Sequence, residues 1–296
     1  MRIAVTGKEG QVALSLLERG AAAGHDIALV GRPELDLAGD APAIMEAIDL
    51  ARPDVIVSAA AFTAVDKAEA ERDLAFAINE KGAGAVAAAA KAIGVPLVHL
   101  STDYVFDGSK REPYGEEDQT GPTGVYGASK LAGEQAVLAA HDNVAILRTA
   151  WVYSPFGGNF VKTMLRLAGD RDEISVVDDQ RGNPTSALDI ADGIIAVSQN
   201  LVSGTNPAQR GIFHMAGSGE ASWAEFARSI FGYSIAAGGP GARVKSIASA
   251  DYPTPARRPA NSRLNGDKLA LTHGVRLPNW HQSTASIVAR LVRAGA

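Results

Sequence analysis

The chain has 296 residues, 46% hydrophobic and 21% charged, with a formal net charge of −5, enough to bury a large core in one or two domains. The acidic balance offers no basic surface for a nucleic-acid backbone and no polybasic membrane anchor. There is no cysteine, which excludes disulfides, thiolate catalysis and cysteine zinc sites and leaves small molecules or further copies of the chain, in a cytoplasmic setting, as the expected partners.

Arg2 to Thr6 is a β-branched apolar run ending at Gly7, too short for a signal peptide. Residues 12–19 then carry apolar side chains at helical spacing, so the chain opens strand, glycine turn, helix. Residues 26–30 read as a second strand. A helix over 43–51 leads into a strand over 54–59, and an alanine-rich helix over 80–93 leads into a strand over 96–101. A helix carrying Tyr126 and Lys130 comes next, then a strand over 145–152. No apolar run is long enough to span a bilayer. Strands alternating with helices predict an α/β fold, a Rossmann-like doubly wound parallel sheet.

After Trp151 the pattern loosens. A turn cluster at 155–159 precedes a helix over 160–167, and a polar loop at 178–185 precedes a helix over 189–199. Glycine- and proline-rich loops follow at 238–243 and 252–259. These features predict a smaller, irregular C-terminal substrate domain over the sheet's C-terminal edge, where open α/β folds bind ligands. The expected division gives residues 1–151 and 186–210 to dinucleotide binding, and 152–185 and 211–296 to a substrate domain.

Gly7-Lys-Glu-Gly-Gln-Val-Ala13 sits between the first strand and first helix. Glycines there permit a tight turn and let a pyrophosphate approach backbone amides at the helix N-terminus, although a ligand-free helix cap would use the same residues. Arg32, after the second strand, could receive a 2′-phosphate and so favours NADPH over NADH; a solvated loop arginine is the other reading. Asp36 and Leu37 could lie by the adenine, and the small residues 59–61 with Phe62 and Thr63 could lie beneath the cofactor. Tyr126 and Lys130 are four residues apart, hence on one face of a helix. An ammonium there would pull a phenol down from its ordinary value near ~10 toward the range useful for proton transfer, whereas chance pairs at this spacing mark only a solvated face.

Residues 101–108 (Ser-Thr-Asp-Tyr-Val-Phe-Asp-Gly), 148–153, 159–168, 179–185 and 254–264, in this order, resemble the dTDP-4-dehydrorhamnose reductases of the extended short-chain dehydrogenase/reductase superfamily. The resemblance covers nearly the whole chain. It implies NAD(P)H-dependent reduction of the C4 ketone of dTDP-4-dehydro-L-rhamnose to dTDP-L-rhamnose. Tyr126 would donate the proton, Lys130 would be its electrostatic partner and ribose ligand, and Thr102 would hydrogen-bond the substrate carbonyl. Gly7, Gly10, Gln11, Val12, Asp36, Leu37, Ala61, Phe62, Thr63 and Ser101 would surround the cofactor, with Phe62 where the family commonly has tyrosine. Thr102, Asp103, Tyr104 and Trp151 would contact the sugar nucleotide, and Asn159, Arg258 and Asn261 are further candidates for that pocket. The resemblance also implies a homodimer and a Mg2+ ion at a subunit contact, but no carboxylate set maps to that ion and no metal ligand is assigned. Rival readings are another sugar-nucleotide reductase or epimerase, a dehydratase, disfavoured by Tyr104 where a glutamate is usual, and a non-catalytic NADP-binding regulatory subunit.

Overall fold

The computed structural model describes residues 1–295. The N-terminal half runs β1 (Arg2–Thr6), α1 (Gln11–Ala22), β2 (Asp26–Val30), α2 (Ala41–Leu50), β3 (Val55–Ser58), α3 (Val65–Ala68), α4 (Arg72–Phe76), a π-helical turn (Ala77–Gly82), α5 (Ala83–Ile93), β4 (Leu97–Thr102), α6 (Val125–Ala140) and β5 (Val144–Thr149). The chain continues through β6 (Val152–Tyr153), α7 (Phe160–Ala168), β7 (Glu173–Val177), β8 (Arg181–Gly182), β9 (Thr185–Ser186), α8 (Ala187–Ser203) and β10 (Gly211–His214). It closes with β11 (Ala221–Ser222), α9 (Trp223–Ala236), β12 (Arg243–Ile247), β13 (Asn261–Ser262), α10 (Asp267–His273) and α11 (Trp280–Arg293).

Side chains alternate faces along a strand, and here both faces are apolar. Ile3, Val5, Val55, Val57, Val98, Leu100, Ala145 and Leu147 pack with Leu16 of α1 and Ile190 and Ile194 of α8. Their neighbours Ala4, Ile56, Leu97, Val144 and Ile146 pack with Ile44, Ile48, Val86, Ala90 and Val137 from α2, α5 and α6 on the other side. Each fully buried aliphatic side chain contributes about 1.5–3 kcal/mol. The result is a six-stranded parallel sheet in the order β10-β5-β4-β3-β1-β2, the Rossmann-like doubly wound architecture. Strand order reverses between β1 and β3, which makes the crevice beyond their C-terminal ends the ligand position.

A second core gathers Tyr153, Val161, Leu165, Ile174, Phe226, Ile230, Trp280 and Val288. It packs α7, α9 and α11 with the parallel pair β7–β12. The expected glycine- and proline-rich loops lie in this half of the chain, but so do two 14-residue helices, α9 and α11, that periodicity alone did not assign. Ser222 caps α9 in a capping box with Glu225, a signature visible in the sequence.

Three boundaries differ from the sequence reading. β10 extends the main sheet beside β5, so residues 211–214 belong with the sheet and not beyond a boundary at 210; a four-residue Gly-Ile-Phe-His strand holds too little apolar pattern to be noticed. The strand expected over 145–152 breaks because Trp151 has φ 48, a left-handed backbone that cannot continue a pleat. The helix expected over 80–93 begins as a π-turn, a wide turn often found at functional sites, and it carries the buried Asn79.

Candidate active site

The cofactor end is set by glycine. Gly7 has φ 96, and a Cβ on it would meet that of Ala60 at 3.3 Å, so the turns after β1 and β3 lie against each other. Thr6 Oγ1 fixes the second turn by accepting from the amides of Ala59 and Ala60, both at 3.0 Å. Gly10 caps α1 with no side-chain hydrogen bond and with open space where a Cβ would stand. The first amides of α1, including those of Gln11 and Val12, are therefore left for an anion at the positive end of the helix dipole. This cradle fits a dinucleotide pyrophosphate. Past β2, Arg32 and Asp36 are exposed, and the Asp36 carboxylate accepts from the Ala38 amide at 3.0 Å. Leu37 turns its side chain into the core, so only its backbone is left to meet an adenine. Ala61 and Phe62 are partly exposed and Thr63 is exposed. Asn79 clamps Phe62 by accepting from its amide at 2.8 Å and donating to its carbonyl at 3.1 Å, and it also donates to Ser129 of α6.

The reacting groups come from the end of β4 and the first turns of α6. Gly127 and Gly133 let α6 approach closely, because a Cβ on either would overlap the carbonyl oxygen of Tyr104 or of Asn79. Tyr126 stands edge-on to Tyr104 with ring centroids 5.5 Å apart, and its hydroxyl lies in the neighbourhood of Thr102. Thr102 donates to Asp103 Oδ1 at 2.9 Å and accepts from the Tyr104 amide at 3.2 Å. The Asp103 carboxyl is buried with Oδ2 unpartnered, and burial pushes it up to about 6.

The expected tuning of Tyr126 by Lys130 is reversed. Burial pushes the phenol up from its ordinary value, with Asp103 and Tyr104 adding to the rise and Thr102 opposing it. The Lys130 ammonium instead reaches toward β4, donating to the Leu100 carbonyl at 2.7 Å and facing His99 Nε2 at 3.5 Å. Burial draws it down to about 8, against the pull of Glu134. Tyr126 thus stands protonated at neutral pH, the form a proton donor needs. Among the described residues Lys130 has two partners for its three protons, which leaves one for a ribose hydroxyl.

The substrate-side candidates divide. Tyr104 and Arg258 meet: Arg258 Nη1 donates to the Tyr104 hydroxyl at 3.3 Å while Nη2 holds Asp66 Oδ2 at 2.7 Å. Trp151 stacks on Trp223 at 3.6 Å, with its ring against Gly182 where a Cβ would overlap it; strained backbone at such a position is common at ligand sites. Asn159 and Asn261 serve the scaffold instead of the pocket. Asn159 caps α7 through Lys162 and donates to Gln11 Oε1 and to the Ser154 and Phe156 carbonyls. Asn261 donates to the Lys110 and Glu112 carbonyls and accepts from Arg263. Both were expected at the sugar pocket because motif position cannot distinguish a pocket amide from a loop clamp. Asn79, Glu134 and Trp223 escaped the sequence reading. Glu134 alone left a legible trace, continuing the 126–130 stripe by one more turn.

Among the described residues no group of three or more His, Cys, Asp or Glu side chains could hold a metal ion. No helix there is long and apolar enough to cross a membrane.

The family model described as RmlD substrate binding domain matches residues 1–293. A dTDP-4-dehydrorhamnose reductase of Sinorhizobium fredii is 54% identical over 295 residues, covering 100% of this chain and 99% of the relative. The crystal structure of a dTDP-4-dehydrorhamnose reductase from Clostridium acetobutylicum superposes with a TM-score of 0.91 at 35% identity, covering 99% of this chain and 100% of that one. That of the Bacillus anthracis dTDP-4-dehydrorhamnose reductase, in complex with NADP, gives 0.90 at 36% identity, with 98% and 99% covered.

Proposed function

The chain belongs to the dTDP-4-dehydrorhamnose reductase family, and from that premise we propose that it reduces the C4 ketone of dTDP-4-dehydro-L-rhamnose to dTDP-L-rhamnose with a reduced nicotinamide dinucleotide. The observation that carries the reading is the meeting of Thr102, Tyr126 and Lys130 at the C-terminal end of β4, on the same sheet edge as the amide-lined turn after β1.

When bound, the nicotinamide supplies the hydride. Gly7, Gly10 and the amides of Gln11 and Val12 would hold the pyrophosphate; Ala61, Phe62, Thr63 and the backbone of Ser101, whose hydroxyl is bonded to Glu134, would line the ribose and nicotinamide, and Asp36 with the Leu37 backbone would flank the adenine. The exposed Arg32 favours NADPH through a 2′-phosphate. Tyr126 transfers its phenolic proton to the C4 oxygen as negative charge develops there, and Thr102, after its hydroxyl rotates away from Asp103, polarises the same oxygen. Lys130 holds the ribose and lowers the cost of the tyrosinate left behind. Asp103, Tyr104 and Trp151 contact the sugar, and Arg258 the diphosphate. The reading extends to a cytoplasmic homodimer, which sedimentation of the purified protein and cell fractionation address.

The test follows the absorbance of NADPH, and separately of NADH, on mixing with enzymatically generated dTDP-4-dehydro-L-rhamnose. Oxidation yielding dTDP-L-rhamnose, faster at low NADPH than at low NADH, is the expected result. Tight nucleotide binding without oxidation of confirmed substrate would overturn the activity in favour of a regulatory subunit.

A further inference from the structure

Glu134 follows Lys130 by four residues, as Lys130 follows Tyr126, so the three occupy one stripe of α6. Its carboxylate is 1% exposed and takes three hydrogen bonds from the two central strands. Ser101 Oγ donates to Oε1 at 2.5 Å, Arg148 Nε to Oε1 at 2.8 Å and Arg148 Nη2 to Oε2 at 2.7 Å. Ser101 and Arg148 are register partners in the β4–β5 pair, and the next partners along are Thr102 and Thr149. The clamp therefore ties α6 to the sheet one residue below the strand ends that carry the reacting groups. Arg148 is 2% exposed; its guanidinium lies 5.1 Å from the Phe106 ring centroid and its Nη1 has no partner. One buried carboxylate is thus paired with Arg148 and stands one helical turn from Lys130, a second buried cation on which it acts through space.

We propose that Glu134, gripped by Ser101 and Arg148, is a positioning residue that holds the α6 stripe of Tyr126 and Lys130 against β4 and supplies Lys130 with a nearby counter-charge. The inference rests on the assignment of Lys130 to the reductase chemistry. A salt bridge serving only to hold the fold would need no third charge beside it, and buried ion pairs contribute little net stability relative to apolar packing. Here the neighbouring charge belongs to the chemistry. The other titratable groups around Lys130 cannot replace Glu134. His99 on β4 is held neutral by burial and by Lys130 itself, and His214, the register partner of Arg148 on β10, is pushed down to about 3. Tyr126 is protonated, and Asp103 bonds to Thr102 on the far side of Tyr126.

The experiment compares wild type, Glu134→Gln and the double variant Glu134→Gln/Arg148→Met by two readouts: titration of the Lys130 side chain by NMR on lysine-labelled protein, assigned with Lys130→Met, and the pH profile of kcat/KM for NADPH-dependent reduction. In wild type, burial draws Lys130 down to about 8 against the pull of Glu134, and its titration is expected there. In Glu134→Gln the carboxylate that favours the ammonium is gone while Arg148 stays charged, so the titration moves down by about one unit or more, and the alkaline limb of kcat/KM moves to lower pH with it. Turnover falls about 10-fold or more at pH 8 and less at pH 6. The double variant removes the second cation as well; its titration returns to within about half a unit of wild type, while kcat stays about 10-fold low because the clamp is gone. Should Glu134→Gln fail to fold, the double variant, which leaves neither charge stranded, carries the test through that kcat loss. An unshifted Lys130 titration in folded Glu134→Gln, or wild-type kcat in the double variant, overturns the proposal. The titration needs no turnover, so a wild-type protein that oxidised no NADPH would defeat the functional reading and still decide whether Glu134 and Lys130 are coupled.

Discussion

Beneath Tyr126 the site is built from Ser101, Lys130, Glu134 and Arg148, each less than 5% exposed; Ser101, Glu134 and Arg148 are joined by hydrogen bonds of 2.5–2.8 Å, and Lys130 is tied to the Leu100 carbonyl at 2.7 Å. Above it, the pocket edge is made of Tyr104, the loop residue Arg258 and Asp66, and the Arg258–Asp66 pair keeps 25% and 41% of its side-chain surface in solvent. The lower layer belongs to β4, β5 and α6, and α6 is held close by Gly127 against the Tyr104 carbonyl and by Gly133 against that of Asn79, where neither leaves room for a Cβ. The upper layer is joined by contacts that water can replace. On the proposed reading, chemistry that needs fixed geometry sits on the rigid sheet, and recognition of the sugar nucleotide sits where small shifts are tolerated. Changes below should act on kcat and on folding, changes above on KM.

The largest effect expected is at Tyr126. Tyr126→Phe keeps the ring and its edge-on contact with Tyr104 but removes the proton donor, so kcat should fall by ~10²–10⁴ while NADPH titration gives a near wild-type Kd. Turnover within a factor of two of wild type would remove Tyr126 from the mechanism. Asp103 comes next, and it acts on stability. Its carboxyl stands at about 6 in the folded protein against an ordinary 3.8, so the folded state binds its proton more tightly than the unfolded one does. That contribution is full below pH 3.8 and is lost as pH rises through 6, a cost of up to ~3 kcal/mol at pH 7. Asp103→Asn should raise the melting temperature at pH 7, lose that advantage near pH 4, and lower kcat. Equal melting temperatures for variant and wild type at pH 7 would show that the buried carboxyl is not strained. Smaller again is Gly133→Ala, whose Cβ would overlap the Asn79 carbonyl. Overpacking of this kind costs about 1–3 kcal/mol, read as a lower melting temperature together with a lower kcat, since α6 must shift with Tyr126 and Lys130. A melting temperature matching wild type would mean that the lower layer is less rigid than the upper.

The same division explains what the sequence could show. Strands β1 to β5 were legible because their runs are apolar on both faces, as a sheet covered on both sides requires. Thr102, Tyr126 and Lys130 could be singled out as candidates because a strand end and a four-residue spacing are local facts. The direction in which Tyr126 is tuned was not local. It depends on burial and on the turn of Lys130 toward Leu100, and four-residue spacing says nothing of either. Arg148 reads as one charge in an apolar strand and Glu134 as one charge on an alanine-rich helix, so their pairing appears only once β5 and α6 are stacked. Asn159 and Asn261 differ in the opposite sense: their motifs were noticed, but their amides are engaged by neighbouring loop backbone and by Gln11 and Arg263.

The smallest expected effect lies in the upper layer, where it can tell recognition from scaffold. Arg258→Ala removes an exposed ion pair worth no more than ~1 kcal/mol, so the melting temperature should hardly move, while KM for the sugar nucleotide should rise roughly fivefold if the guanidinium meets the diphosphate. Loss of the loop's anchor would also raise KM, so Arg258→Ala alone does not separate the two causes. Asp66→Asn does. It weakens the grip on Nη2 and leaves the guanidinium freer to turn toward substrate, so KM should stay level or fall if Arg258 binds diphosphate. A rise in KM matching that of Arg258→Ala would instead make the pair a latch for the loop, with Tyr104 and Trp151 left to recognise the sugar nucleotide.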